Sequence, residues 1–140
     1  MEEQAKDLKW EDIKVGDTTS FSRTISENDV NEFAKLSGDY NPLHMDPNYA
    51  KTTKFDKRVV HGMFLGALIS QLLGMKLIGK RCLYLSQDLQ FKKPAFIGDT
   101  VKVIGEVKNK SESTHILDIL IEIKKGEEIL LISETKVQVL

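Results

Sequence analysis

The chain has 140 residues, a formal net charge of −1 from 20 basic and 21 acidic side chains, and 41% hydrophobic residues. One domain over residues 1–140 accommodates this length, which is enough to bury a real core. Charges so balanced and interspersed present no wide basic surface to a polyanion, which argues against nucleic acid as a partner.

The N-terminal stretch MEEQAKDLKWEDIK is charged where a secretory signal carries an apolar run, so export is not indicated. The single cysteine, Cys82, stands among apolar residues and cannot form an intrachain disulfide, which suits a reducing cytoplasm and a small buried side chain. After the turn at Val15-Gly16-Asp17, residues 18–25 mix β-branched and aromatic side chains in partial alternation and predict a first strand. Ser26 then offers an N-cap hydroxyl to the backbone N–H of Asn28 or Asp29, and Glu27 and Asp29 set negative charge against the positive end of a helix. Val30, Phe33, Ala34 and Ser37 fall on one face of that helix, and Gly38 closes it.

From Gly38 to Lys57 the periodicity fails. Pro42 and Pro47 each remove a backbone donor and push Asn41 and Asp46 away from the α region, which predicts a loop with at most a short turn around Asn48 to Lys51. The next run, Val59 to Gly79, is long enough on its face to cross a bilayer at about 20 residues. His61, Ser70, Gln71, Lys76 and glycines at 62, 66, 74 and 79 interrupt it, so a core helix from about Gly62 to Leu77 explains it better than a membrane span. Four strands follow: RCLYLSQDLQF, TVKVIGEVKN, THILDILIEIKK and ILLISETKVQV. The turn FIGDT separates the first two, and the polar turns KSES and KGEE separate the others. Links this short predict antiparallel neighbours. Strands gathered apart from the helices give an α+β class, with a sheet of about five strands wrapped around the one helix apolar enough to cover it. That helix is apolar on all sides, so a second copy of the chain is expected to cover what one sheet leaves, most simply in a two-fold dimer.

Chemistry concentrates in GDYNPLHMDPNYAKTTKFDKRVVHGM, residues 38–63. Asp39 and His44 lie five apart across Asn41-Pro42, where a tight turn can aim both side chains at one water as an acid/base pair. Surface Asp and loop His residues also occur without any task. His61-Gly62 stands at the predicted helix start, whose first N–H groups lack internal partners and can receive an oxyanion. The plainer role for Gly62 is to permit the turn, and for His61 to cap the helix or fill space. Ser70 lies two turns further on, where its hydroxyl can simply bond the carbonyl four residues back. His44, Asp46 and His61 offer metal-ligand types, but without H-E-x-x-H or facial-triad spacing. No G-x-S-x-G surrounds a serine and no base neighbours Cys82, so a nucleophilic enzyme is not indicated. His115 starts a strand and reads as exposed. Lys54, Lys57, Arg58, Lys92 and Lys93 are able to meet phosphates of a nucleotide-bearing substrate, although scattered surface cations are the default.

The segment FAKLSGDYNPLHMDPNYAKTTKFDKRVVHGMFLGALISQLLG resembles the MaoC-like, R-specific enoyl-CoA hydratases of the hot-dog superfamily, with Asp, Asn-Pro, His and a downstream His-Gly-Met in matching order and spacing. FKKPAFIGDTVKV is similar to that family's strand-turn-strand segment, so the likeness runs from about Trp10 to Leu140. The resemblance implies a hot-dog fold and reversible hydration of a trans-2-enoyl-CoA to an (R)-3-hydroxyacyl-CoA. It gives Asp39 and His44 the activation of a water, Gly62 N–H the thioester oxygen, Asn41 the ordering of the site or its water, and Ser70, with His61, a supporting part. It requires no cofactor and no metal. The acyl tail is expected along the central helix and a partner protomer, in a cytoplasmic homodimer or dimer of dimers. The same chemistry reversed on an acyl-carrier-protein thioester is the first alternative; thioester hydrolysis and a non-catalytic acyl-binding subunit are the others. Acyl chain length and carrier are not legible.

Overall fold

The computed structural model describes residues 3–140. Strand β1 (Thr18–Thr24) leads into helix α1 (Glu27–Ser37). Two short helices follow, α2 (Pro42–Met45) and α3 (Pro47–Lys51), and then helix α4 (Gly62–Gln71). Strands β2 (Cys82–Phe91), β3 (Thr100–Ser111), β4 (Ile116–Lys125) and β5 (Glu128–Val139) complete the order.

The start of α1 is a reciprocal cap. Asp29 N–H donates to Ser26 Oγ and Ser26 N–H donates to Asp29 Oδ2, each at 3.0 Å. Burial pushes the Asp29 carboxyl up, but the Ser26 N–H and the Arg23 guanidinium, 2.7 Å away on β1, outweigh it and hold the carboxyl below its usual range. Gly38 ends α1 in the left-handed region at φ 80°, with its N–H on Ala34 O.

Reading residues 38–57 as a loop needs correction, because two short helices form there. Pro42 and Pro47 each stand at a first helical position, where the N–H they lack has no intrahelical partner anyway. The extended backbone they impose on Asn41 and Asp46 is also the backbone of an N-cap. Asn41 Oδ1 accepts from Leu43 N–H at 3.0 Å and Asp46 Oδ1 from Asn48 N–H at 2.9 Å. The expected 62–77 helix is helical throughout, but its last part, Leu72–Leu77, is wound as a π-helix.

All five strands are antiparallel in one sheet of order β1-β3-β4-β5-β2, so β2 pairs with the last strand and not with the next one in sequence. Alternation along β3, β4 and β5 turns Val101, Val103, Val107, Leu117, Ile119, Ile121, Ile123 and Val137 inward, and Leu65, Leu68, Ile69, Leu72 and Leu73 of the helical run meet them in one core. Gly105 sets the closest approach: a Cβ there would lie 2.7 Å from Leu72 Cδ2. This is the hot-dog arrangement, a curved sheet around a central helix. β3 extends to Ser111, so the turn falls later than KSES. His115 is exposed as expected, at φ 57°, and stacks on Trp10 at 4.4 Å.

One side stays uncovered. Met63, Ala67 and Ser70, a stripe along α4, are exposed, as are Leu83, Tyr84, Leu85 and Phe91 of the edge strand β2. Cys82 beside them is half-buried, and burial pushes its thiol up to about 11, which makes it a poor nucleophile. Among the described residues no helix is long and apolar enough to cross a membrane.

Candidate active site

The site is built where the chain leaves α1. Asp39 N–H donates to Ser37 Oγ at 3.1 Å, and Asn41 N–H donates to Asp39 Oδ1 at 3.1 Å. One carboxylate oxygen is thereby fixed, and the other, Oδ2, stands 4.0 Å from His44 Nε2. His44 is mostly buried, 16% exposed in its side chain against 50% for Asp39. Its Nδ1 lies 2.6 Å from Val59 O. A carbonyl only accepts, so Nδ1 carries the proton, and in the neutral ring Nε2 presents its lone pair toward Asp39.

His61, 2% exposed, caps α4 by position but not by a side-chain bond. By the same reasoning its Nε2–H donates to Asp39 O at 2.9 Å, and its buried Nδ1 has no partner among the described residues. Its ring stacks on His44 with centroids 4.1 Å apart and meets the edge of Phe33 at 5.0 Å. His61 therefore backs the Asp39–His44 pair. Gly62 begins α4, so its N–H has no partner one turn earlier in the helix. The ring of Phe91 lies over it: a Cβ at Gly62 would stand 2.9 Å from Phe91 Cε1.

Asp39, His44, His61 and Gly62 thus come together, and Asn41 joins them through its backbone N–H, its side chain being spent on Leu43. Ser70 does not. It is exposed two turns along α4, and among the described residues it makes no hydrogen bond to the pair. Nor does Asp46, which caps α3 and so drops out of the His44, Asp46 and His61 group of metal-ligand types. Asp39, His44 and His61 do hold ligand atoms within 4.8 Å of one another. However, the two imidazole planes are only 29° from parallel, so in-plane lone pairs meet several ångströms beyond the rings, not at the 2.0–2.1 Å of a zinc–nitrogen bond. The trio fits a water better than a metal.

Two residues went unrecognised as partners of His44. Val59 supplies the carbonyl that sets its tautomer. Arg58, read as a surface cation, is buried with its Nε on His44 O; its place directly before an apolar run was the only signal. A groove of about 630 Å³ lies elsewhere, on the sheet, among Ser86, Asp88, Lys108, Asp118, Glu134 and Lys136, where opposite charges answer one another.

The MaoC like domain family matches residues 12–125. The chain is 45% identical over 100 residues to an (R)-specific enoyl-CoA hydratase of Aeromonas caviae, covering 71% of this chain and 75% of that protein. It is 37% identical over 132 residues to a 3-hydroxybutyryl-CoA dehydratase of Methylorubrum extorquens, covering 94% and 84%. Among solved structures, the R-hydratase PhaJ1 from Pseudomonas aeruginosa superposes with a TM-score of 0.92 at 33% identity, covering 97% of this chain and 88% of that one.

Proposed function

This chain belongs to the MaoC-like domain family, and we propose that it is an (R)-specific enoyl-CoA hydratase, a lyase that adds water reversibly to a trans-2-enoyl-CoA. The observation that carries the reading is the 4.0 Å between Asp39 Oδ2 and His44 Nε2. That distance is too long for a direct hydrogen bond and right for one water bonded to both.

Each group then has a task that its contacts support. Val59 O keeps the proton on Nδ1 of His44, so Nε2 can take a proton from the water as its oxygen bonds to C3. The π pair of the double bond moves toward the thioester, and negative charge grows on the thioester oxygen, which the Gly62 N–H at the start of α4 receives. The pair then delivers a proton to C2, leaving an (R)-3-hydroxyacyl thioester. Asp39 accepts a hydrogen bond from the other O–H of the water, which stays on the oxygen as the 3-hydroxyl, and stabilises the imidazolium while it exists. Asn41 N–H and His61 hold the Asp39 carboxylate and its backbone carbonyl in place. No step calls for a cofactor or metal.

The working unit in this reading is a two-fold dimer in the cytoplasm. It is supported by the open side of the site, by the exposed stripe of α4 that includes Ser70, and by the apolar edge strand β2, which a second copy can cover. There Ser70 and the acyl tail would share the interface, with the pantetheine leaving past α2. Incubation with crotonyl-CoA tests the function. Loss of the conjugated thioester absorbance with formation of the (R)-3-hydroxy product is expected, and release of free thiol, or no reaction, refutes it. Faster turnover on the acyl-carrier-protein thioester would move the carrier assignment to that alternative. Sedimentation of the purified chain as a monomer would refute the dimer.

A further inference from the structure

Of the cations near the site, Arg58 is the one the fold buries, at 8% exposure. Its Nε donates to His44 O at 2.5 Å, Nη1 to Glu27 Oε1 at 3.0 Å and Nη2 to Asn31 Oδ1 at 2.7 Å, with Met45 Sδ at 3.8 Å. Glu27 and Asn31 lie one turn apart on α1, so the guanidinium ties the first turns of α1 to the short helix that carries His44. Its neighbour Val59 makes two further contacts: Val59 N–H donates to Leu43 O at 3.2 Å, and Val59 O accepts from His44 Nδ1 at 2.6 Å. Val59 also bridges to Phe96, and Val60 N–H donates to Ala95 O at 2.9 Å, which anchors this segment ahead of β3. Two consecutive residues thus grip His44 at both ends, the backbone from Arg58 and the ring from Val59.

We propose that Arg58 is a positioning residue for the hydration, its guanidinium fixing α2 so that His44 Nε2 faces Asp39 Oδ2. The inference rests on the hydratase reading for its kinetic consequence but not for its geometry. A purely space-filling role is poorly served by a guanidinium here: burying it is costly, and its one carboxylate partner, Glu27, is 68% exposed in its side chain. What an arginine adds is a planar fork that serves a backbone carbonyl, a carboxylate and an amide at once, which the single ammonium of a lysine cannot do. With the fork gone, this segment holds α2 only through Val59, by its N–H on Leu43 O and its carbonyl on the His44 ring. The short helix is then less firmly seated, so the His44 ring separates part of the time from Val59 O and Nε2 leaves its line with Oδ2.

The test uses Arg58→Met, which keeps the aliphatic stem, and Arg58→Lys, which keeps the charge. With crotonyl-CoA hydration by the unaltered chain as reference, both variants are expected to lose about 10–100-fold in kcat, as slight misplacement of a catalytic group does. KM should move less than about threefold, since no binding contact is removed. Nitrogen NMR of isotopically labelled histidine gives a readout that needs no substrate. His44 of the unaltered chain should show one tautomer, protonated at Nδ1, and the variants a mixture. If Arg58→Met fails to fold, Arg58→Lys carries the same comparison. Wild-type kcat in a folded variant, or a His44 tautomer unchanged in it, overturns the proposal. Failure of the unaltered chain to hydrate any enoyl thioester defeats the hydratase reading instead and leaves the tautomer to decide on Arg58.

Discussion

Replacing Asp39 and His44 singly and together tests whether the two act through one water. Their atoms stand 4.0 Å apart, and half of the Asp39 side chain is exposed. Coulomb's law gives about 1 kcal/mol at that distance in water-like surroundings, within the range of about 0–1 kcal/mol typical of exposed pairs. At about 1.4 kcal/mol per factor of ten in rate, direct attraction accounts for less than tenfold. A water oxygen bonded to both atoms at about 2.8 Å subtends an angle of about 90°, close enough to tetrahedral for a single molecule to serve both. Asp39→Asn and His44→Ala are therefore each expected to lower kcat by about 10²–10⁴, the usual worth of acid/base help. Because the lost function is shared, the double variant should fall within about tenfold of the worse single one. Independent roles would multiply instead, to about 10⁴–10⁸. The assay is the decay of crotonyl-CoA absorbance, with circular dichroism confirming that each variant is folded. Multiplying losses, or a double variant that hydrates as fast as the unaltered chain, would refute the shared water.

The Gly62 N–H can be tested apart from crowding. Gly62→Ala brings a Cβ 2.9 Å from a half-exposed Phe91 ring that can swing aside, whereas Gly62→Pro places a Cβ there too, closes it through Cγ and Cδ onto the nitrogen, and so deletes the donor. Proline is tolerated at this first helical position, and His61, at φ −55° and ψ 129°, already has a backbone suited to precede it. The proline variant should run about 10²–10³ slower than the alanine variant; equal rates would remove this amide from the mechanism. A pH dependence follows from Asp29, whose folded carboxyl lies below its unfolded value of 3.8. Its contribution to stability is whole above that pH and is lost as the pH falls through the lower folded value. Asp29→Asn should flatten this part of the acid loss in urea titrations carried from neutral to acid pH, and an unchanged slope would contradict the cap described for α1.

What could be read from the sequence was local. Ser26, the Val30–Ala34 face and Gly38 define α1 within a single stretch of chain, and the alternation in β3 to β5 marks one buried face without knowledge of any partner. The pairing of β2 with β5 was hidden because it joins segments with two strands between them. Pro42 and Pro47 were misread because a proline that stops one helix can equally begin another, and only the caps at Asn41 and Asp46 decide which. At the site, residue types and spacing were enough to nominate Asp39, His44 and Gly62. The approach of Asp39 to His44 depends on residues 58–60 arriving from a distance, and that is why Arg58 looked like a surface charge.

The strand order also bears on how the chain folds. β2 leaves the central helix with no neighbour to bond, since β3 and β4 pair with β1 and each other, and only β5 offers β2 a ladder. During synthesis a stretch bearing Leu83, Leu85 and Phe91 must wait, unzipped on both margins, while some forty further residues emerge. That interval is when the nascent molecule is most exposed to clumping with its siblings, and slowing translation across β3 and β4 would lengthen it.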